Sequence, residues 1–241
     1  MPTIEVYVKR HSLKSRAAKK TNLVVVAHPD DETIYFGGLL LAERQCNWRV
    51  ICVTDGNADG LGGERHAQFA RACHSFGVKN FEFFDMRDRY DVRLPQAELR
   101  ARLVELSKQM RPHTVYTHGP LGEYGHPHHQ DVSLAVHEVF SDVRGVAYNC
   151  SPNQIVKLTT RQFEKKTNVL AEIYFGETSR FIQYLPATSI ETFARFKLAE
   201  VRALHEFLSG GELSPPQSLD KYKWFRPYLR EFREAMIKRP F

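Results

Sequence analysis

The stretch LVVVAHPDDE, residues 23–32, decides the expected fold. Its first four residues are apolar and mostly β-branched, which is typical of a parallel strand buried on both faces. Pro29 suits a first helical turn, and the three acids after it stabilise the positive end of a helix dipole. The stretch therefore predicts a strand that passes directly into a helix, with polar side chains at the turn.

The same unit recurs downstream. Residues 50–53, 81–84 and 114–117 are predicted strands, and residues 64–76 and 97–110 are predicted helices between them. Such alternation favours right-handed strand–helix–strand crossovers. We therefore expect a three-layer α/β fold with a mainly parallel sheet and helices on both faces.

The pattern weakens in the last third of the chain. Residues 162–175 are predicted to be helical, and residues 190–208 are predicted to form an amphipathic helix. Paired glycines at 210 and 211 and paired prolines at 215 and 216 precede a final helix. We expect one domain over residues 1–241, with a core at about 21–150 that residues 151–241 complete together with its pocket.

Composition bounds the class of protein. A chain of 241 residues with 42% hydrophobic residues can bury a core without disulfides, and its four cysteines form no CxxC pair. The apolar runs at 23–27 and 36–42 are far shorter than the ~20 residues that a membrane-spanning helix needs. The amino terminus does not resemble a secretory signal. We therefore expect a cytoplasmic protein with no transmembrane segment.

The charge balance suggests the chemistry of a partner. Lys and Arg number 34 against 28 Asp and Glu, a formal net charge of +6, which favours an anionic partner. No helix-turn-helix, zinc-finger or RNA-stacking signature accompanies the basic residues. Nucleic acid is therefore not expected as a partner, and the pattern allows a homo-oligomer without specifying one.

Two polar motifs follow predicted strands, HPDDE at residues 28–32 and YGHPHH at residues 124–129. Ligands of open parallel sheets gather beyond the carboxyl ends of the strands, so both motifs are expected at one crevice. His28 and Asp31 are three residues apart, as are His126 and His129, and either histidine pair can converge. Two imidazoles and one carboxylate suit Zn²⁺ or, at a similar site, Fe²⁺. Asp30 would remain as a general base beside a metal-bound water.

These two motifs, in order and spacing, resemble the LmbE-like family of zinc-dependent N-deacetylases, which includes the PIG-L branch. The resemblance covers about the first 150 residues. It implies a Rossmann-like sheet and removal of the acetyl group from an amino sugar of the N-acetylglucosaminyl type, either free or in a glycoconjugate precursor. The positive net charge makes a phosphate-bearing or lipid-linked acceptor attractive.

The family resemblance also implies roles for individual residues. It places His28, Asp31 and His129 on the zinc ion. Asp30 becomes the general base that activates the bound water, and His126 stabilises the tetrahedral oxyanion.

Three further positions match the family less closely. Tyr124 corresponds to a tyrosine that helps polarise the carbonyl in some branches. Arg65 and Asp88 lie where related enzymes hold the substrate, although surface ion pairing explains such residues equally well.

The second motif departs from the family pattern. His128 stands where many relatives have an aspartate that orients the first histidine, and Gln68 replaces an acid three residues after the arginine. Glu123, Asp131 or a backbone carbonyl are the candidate replacements for the orienting carboxylate.

Other interpretations compete with a deacetylase. A non-catalytic sugar- or metal-binding protein can retain the same fold, and a non-haem iron oxygenase also uses two histidines and one carboxylate. His118 is expected to be a hydrogen-bonded structural histidine. The remaining histidines are expected at the surface or in packing, and the aromatic, basic carboxyl-terminal stretch is expected to pack onto the domain.

Overall fold

The computed structural model describes residues 20–90, 92–179 and 188–238, with side chains through residue 234. The expectation about the amino-terminal segment therefore lies outside the described residues. The strands are β1 (Thr21–Val26), β2 (Asn47–Thr54), β3 (Asn80–Met86), β4 (Val115–Thr117), β5 (Val143–Val146), β6 (Gln154–Lys157) and β7 (Ile190–Ala194). The helices are α1 (Asp31–Ala42), α2 (Gly62–Ser75), α3 (Gln96–Gln109), α4 (Pro127–Val139), α5 (Thr160–Glu172), α6 (Phe175–Thr178), α7 (Leu198–Leu208) and α8 (Leu229–Lys238), with a 3₁₀ turn at Arg226–Tyr228.

All seven strands belong to one sheet, in the order β3-β2-β1-β4-β5-β7-β6. Strands β1 to β5 pair in parallel, whereas β7 runs antiparallel to both β5 and β6. The expected mainly parallel sheet is confirmed. The chain order reverses between β1 and β4, and the ligand crevice of an open α/β sheet lies at such a point.

Helices cover both faces of the sheet. Val24 and Val26 of β1 point into a core formed with α1, α2 and α5, whereas Leu23 and Val25 point into a second core formed with α3 and α4. All four side chains are fully buried, and each such burial contributes about 1.5–3 kcal/mol. The strand is therefore apolar at every position because it has no solvent face, and the three-layer architecture is confirmed.

Helix α1 begins later than the sequence suggests. Pro29 lies ahead of the helix, and Asp30 occupies the N-cap with φ of 112°. Residues other than glycine rarely adopt a positive φ of this size. The backbone N–H of His28 donates to Asp31 Oδ2 at 2.8 Å, and that of Asp30 donates to Glu32 Oε2 at 3.0 Å. The acids of the first turn thus bend the chain back on itself and hold the strained residue.

The expectation of one helix over residues 190–208 is wrong in its first part. Residues 190–194 form β7, and the helix begins only at Leu198. Glu191 and Phe193 are buried in the strand while Ile190 is exposed. This alternation of burial is strand-like, and it was obscured because one inward position carries a carboxylate.

The last segment packs onto the domain as expected. Tyr222 and Leu229 are buried in a third core with Phe207 of α7, whereas Trp224 and Tyr228 stay exposed. The four cysteines are free thiols. No helix in the described part of the chain is long and apolar enough to span a bilayer.

Candidate metal centre

The sheet topology brings the two polar motifs together at the reversal point. His28 follows β1, and Asp31 is the first residue of α1. His126 is the N-cap of α4, Pro127 occupies the first turn, and His129 follows within that turn. Two helix starts therefore face one another across the ends of β1 and β4.

Three side chains converge closely in this crevice. His28 Nδ1 lies 3.4 Å from Asp31 Oδ2 and 3.3 Å from His129 Nε2, and His129 Nε2 lies 3.4 Å from Asp31 Oδ1. All three residues are buried. The ligand set that the family resemblance implied is thus assembled in space from the two motifs.

Hydrogen bonds orient His129 toward the shared point. Its Nδ1 lies 2.6 Å from Glu123 Oε2. A carboxylate only accepts, so Nδ1 donates its proton to Glu123, and Nε2, which would bind a cation once its own proton is lost, faces His28 and Asp31. A ligating histidine held by a carboxylate in this way is the usual arrangement at a metal site.

His118 supports the same carboxylate. Its Nε2 accepts from the backbone N–H of Ala27 at 3.0 Å, and its Nδ1 donates to Glu123 Oε2 at 3.0 Å. The expectation of a hydrogen-bonded histidine is confirmed. Its role is to hold Glu123 against His129.

The charges in the centre favour a cation. Burial tends to raise the pKa of Asp31, but the neighbouring His129 and His118 outweigh this effect and hold that pKa well below the usual value. Burial tends to lower the pKa of His129, yet Asp31 and Glu123 raise it to about 10. The same histidines lower the pKa of Glu123 to about 2 against the effect of burial. Two buried carboxylates thus demand positive charge, and the donor set of two imidazoles and one carboxylate fits a divalent metal ion.

Asp30 lies beside an arginine rather than in open solvent. Arg65 donates to the carbonyl of Pro29 at 2.6 Å and to Asp30 Oδ2 at 3.4 Å, and its Nε lies 3.7 Å from Glu177 Oε1. Burial and the neighbouring Asp31 raise the pKa of Asp30 well above its usual value, although Arg65 opposes the rise. The Arg65 side chain is only 11% exposed, so its ion pairs are not surface pairs.

Asp88 borders the other side of His28. Its Oδ1 lies 3.7 Å from His28 Nε2 and 3.5 Å from His128 Nδ1, and the residue is buried. It reaches this position because β3 ends at Met86, near the carboxyl end of β2.

His126 and Tyr124 lie at the mouth of the centre. The rings of His126 and His28 are 4.6 Å apart, and His126 Nδ1 accepts from the backbone N–H of His128 at 3.2 Å. The proton of a neutral His126 is therefore on Nε2. The Tyr124 ring lies 5.9 Å from that of His126 and is 46% exposed.

The candidate carboxylates for orienting His126 bind elsewhere. Glu123 holds His118 and His129. Asp131 accepts from Arg93 at 2.7 Å and from His205 at 2.7 Å. The backbone N–H of His128, which was not among the candidates, donates to His126 Nδ1.

The buried hydrogen bonds of Glu32, the last residue of HPDDE, were not predicted from the sequence. Glu32 Oε1 accepts from the hydroxyl of Tyr174 at 3.0 Å and from that of Thr33 at 2.5 Å. Burial raises the pKa of Glu32 to about 7. Tyr174 is separated from the motif by more than a hundred residues, so no local signal reveals the pair.

The fold and the site define a class: α/β proteins of the Rossmann type with a histidine–carboxylate centre at the sheet reversal. Residues 23–140 match the model of the PIG-L family, described as GlcNAc-PI de-N-acetylase. This part of the chain is a PIG-L (LmbE-like) family domain.

Similar proteins cover parts of the chain. A 1D-myo-inositol 2-acetamido-2-deoxy-alpha-D-glucopyranoside deacetylase from Rhodococcus erythropolis is 33% identical over 147 residues, which cover 47% of this chain and 50% of that protein. The chain spans about half the length of the curated relatives it matches.

Solved structures share the fold. N,N'-diacetylchitobiose deacetylase from Pyrococcus horikoshii matches with a TM-score of 0.64 and 20% identity, over 76% of this chain and 85% of that one. GalB, the 4-carboxy-2-hydroxymuconate hydratase from Pseudomonas putida, matches with a TM-score of 0.54 and 19% identity, over 84% of this chain and 93% of that one. The fold therefore does not by itself select the reaction.

Proposed function

We propose that this chain is a metal-dependent hydrolase that removes the acetyl group from an N-acetylglucosaminyl compound. The observation that carries the proposal is the convergence of His28 Nδ1, Asp31 and His129 Nε2 with Asp30 next to them in the chain. The names of the Rhodococcus relative and of the family support the substrate class. A pure binding site needs no buried carboxylate with a raised pKa beside its metal ligands.

His28, Asp31 and His129 would hold the ion, and Zn²⁺ suits this donor set, with Fe²⁺ as the second candidate. When bound, such an ion polarises a carbonyl and acidifies a water molecule. The chain itself supplies the remaining groups of the reaction.

Asp30 is proposed as the proton carrier. It takes a proton from the attacking water and returns it to the nitrogen as the C–N bond breaks, so that acetate and a free amine leave. Burial favours its protonated form and thus makes the carboxylate a stronger base. Arg65 fixes its position through the contacts to Pro29 and Asp30, and a contact of Arg65 to substrate stays a prediction.

His126 and Tyr124 are proposed to act on the acetyl oxygen. A neutral His126 presents Nε2–H, because its Nδ1 is already an acceptor. That N–H can donate to the negative charge that develops on the oxygen, and losing one such donor typically costs about 10²–10³ in kcat. Tyr124, whose ring lies 5.9 Å from that of His126, is assigned the same oxygen.

The acceptor sugar is proposed to occupy the cavity beside Asp88. This cavity has a volume of about 500 Å³, and Asp55, Asn57, Arg87 and Tyr90 line it together with Asp88. Carboxylates and amides suit sugar hydroxyls, and Arg87 would meet a phosphate-bearing acceptor. Residues 151–241 are proposed to complete the domain and the substrate pocket from the side of Arg65, where Glu177 Oε1 lies 3.7 Å from Arg65 Nε.

Acetate release tests the proposal. Protein purified without chelator or histidine tag is incubated with free, phosphorylated and inositol-linked N-acetylglucosamine, before and after removal of metal. The proposal predicts acetate release that is lost with the metal and regained on adding Zn²⁺ or Fe²⁺. Bound metal without acetate from any of these compounds would indicate the alternative, a non-catalytic sugar- or metal-binding protein.

A further inference from the structure

His128 differs from the aspartate of many relatives, and its side chain bridges two parts of the site. Its Nδ1 lies 3.0 Å from His28 Nε2, and its Nε2 lies 2.8 Å from the backbone carbonyl of Val92. The residue is only 2% exposed. One imidazole thus connects a proposed metal ligand to the loop between β3 and α3.

The directions of these hydrogen bonds follow from the carbonyl. The Val92 oxygen only accepts, so the proton of His128 is on Nε2. A second proton would place a full charge on a buried ring between the imidazoles of His28 and His126, whose centroids lie 5.3 and 5.2 Å away, and that is costly. Asp88 Oδ1 lies 3.5 Å from His128 Nδ1, farther than His28 Nε2 at 3.0 Å, so His28 is the better hydrogen-bond partner. His128 Nδ1 therefore accepts, and His28 Nε2 donates to it.

This arrangement determines which ring nitrogen of His28 carries no proton. A neutral imidazole carries one N–H, so a proton on Nε2 leaves the lone pair of Nδ1 facing Asp31 and His129 at 3.4 and 3.3 Å. Glu123 fixes His129 through its Nδ1–H. His28 is thus oriented by His128, and His129 is oriented by Glu123.

The residues that follow Val92 are held by hydrogen bonds to helix α4. Arg93 donates to Asp131 Oδ1 at 2.7 Å, and the backbone N–H of Leu94 donates to Asp131 Oδ2 at 2.9 Å. Asp131 lies three residues after His128, on the same side of α4. The carbonyl of Val92 is therefore held by the helix that carries His128.

We propose that His128 is a positioning residue that fixes the tautomer and orientation of His28 through the carbonyl of Val92. The inference rests on the proposed metal centre, but it concerns a hydrogen-bond pattern that also exists without metal. An aspartate, the residue of many relatives at this position, has no proton to donate to the carbonyl of Val92. In this chain His128 therefore connects His28, a proposed metal ligand, to the β3–α3 loop, which borders the proposed acceptor cavity.

The first test measures tautomers in metal-free protein. Long-range ¹H–¹⁵N spectra of histidine-labelled protein report which ring nitrogen carries the proton. The proposal predicts that His28 is protonated on Nε2 in the wild type and loses this preference in His128→Phe. A wild-type His28 protonated on Nδ1 would overturn it, whether or not the protein is a deacetylase.

The second test measures zinc affinity by competition with a chelator. His128→Phe keeps a planar aromatic ring but removes both hydrogen bonds, and we expect a loss of about ten- to a hundredfold in zinc affinity. His128→Asp should retain more affinity than His128→Phe, because a carboxylate can accept a hydrogen bond and a phenyl ring cannot. His137→Phe, a buried change on the same helix, is the matched control and should leave the affinity unchanged.

Two results would contradict the proposal. Equal zinc affinity in wild type and His128→Phe would show that His28 needs no such support. A second zinc ion per chain that disappears in His128→Phe would make His128 a ligand, since His28, His126 and His128 also place nitrogen atoms within 4.8 Å of one another. Circular dichroism and the melting temperature confirm that each variant is folded.

Discussion

Helix α1 contacts two buried polar clusters that differ in how their polar atoms are used. At its amino terminus, His28, Asp31 and His129 point at one another the atoms that would hold a metal ion. In its middle, Glu191 accepts from the backbone N–H groups of Gly38 and Leu39 at 2.7 and 2.8 Å, and Lys166 faces Glu191 at 2.6 Å.

The second cluster is complete without any ligand. Lys166 also donates to the carbonyls of Ile34 and Thr188, at 2.7 and 3.1 Å. Burial lowers the pKa of Lys166 and raises that of Glu191, while each partner opposes the shift of the other. Donors and acceptors match there, whereas at the amino terminus two imidazole nitrogens and one carboxylate converge on one point. Such a converging set suits a cation, and a matched set of donors and acceptors suits a structural contact.

The largest expected effect separates chemistry from metal binding. Asp30→Asn should reduce kcat/KM for acetate release by at least about a hundredfold, because the amide cannot accept the proton. Bound zinc, measured by elemental analysis, should stay at the wild-type amount. Asp85→Asn is the control, since Asp85 also has positive φ, 50°, but is exposed. Full activity in Asp30→Asn would remove Asp30 from the mechanism.

Removing only one partner of the Lys166–Glu191 pair should strongly reduce the free energy of unfolding. Lys166→Met leaves the Glu191 carboxylate buried without its cation, and we expect a loss of about 3–5 kcal/mol in the free energy of unfolding. Urea denaturation measures this loss. The double variant with Glu191→Gln should recover part of it, because the amide oxygen still accepts from α1.

An exposed ion pair provides the control for that prediction. Glu98 and Arg102 pair at 2.7 Å on the surface of α3, and Glu98→Gln should cost only about 0.3–0.5 kcal/mol. Equal losses in Lys166→Met and Glu98→Gln would show that the buried pair has no special role.

A third buried group belongs to neither cluster and predicts a smaller effect that depends on pH. His137 Nδ1 donates to the carbonyl of Ser133 at 2.7 Å, and burial lowers the pKa of His137 to about 4. The unfolded chain therefore binds more protons between about pH 6.5 and 4, so this stabilisation is present above pH 6.5 and is lost as the pH falls toward 4.

The loss from His137 should reach about 3 kcal/mol, since one pKa unit corresponds to 1.36 kcal/mol. His137→Phe should flatten this part of the stability curve measured by denaturation at several pH values. His74→Phe, an exposed change on α2, should leave the slope unchanged. An identical slope in His137→Phe and wild type would assign the acid sensitivity to other groups.

The comparison of the two clusters also shows what a sequence reveals. The motifs HPDDE and YGHPHH predict the candidate metal centre, because the ends of parallel strands bring such motifs to one crevice. Lys166 and Glu191 gave no signal, since a lone lysine in a helix and a lone glutamate in a strand are normally exposed. The same carboxylate hid β7 within a segment that was predicted to be helical. Glu123 was noticed, but only the structure shows that it holds His129, because its direction depends on how the loop after β4 folds.

Anomalous diffraction at the zinc edge, from crystals of the zinc-loaded protein, tests the central claim most directly. We expect one strong peak per chain, bonded to His28 Nδ1, Asp31 and His129 Nε2, at about 2.0–2.2 Å from each atom. A peak between His126 and His128, or the absence of any peak in this crevice, would contradict the proposed metal centre and the function built on it.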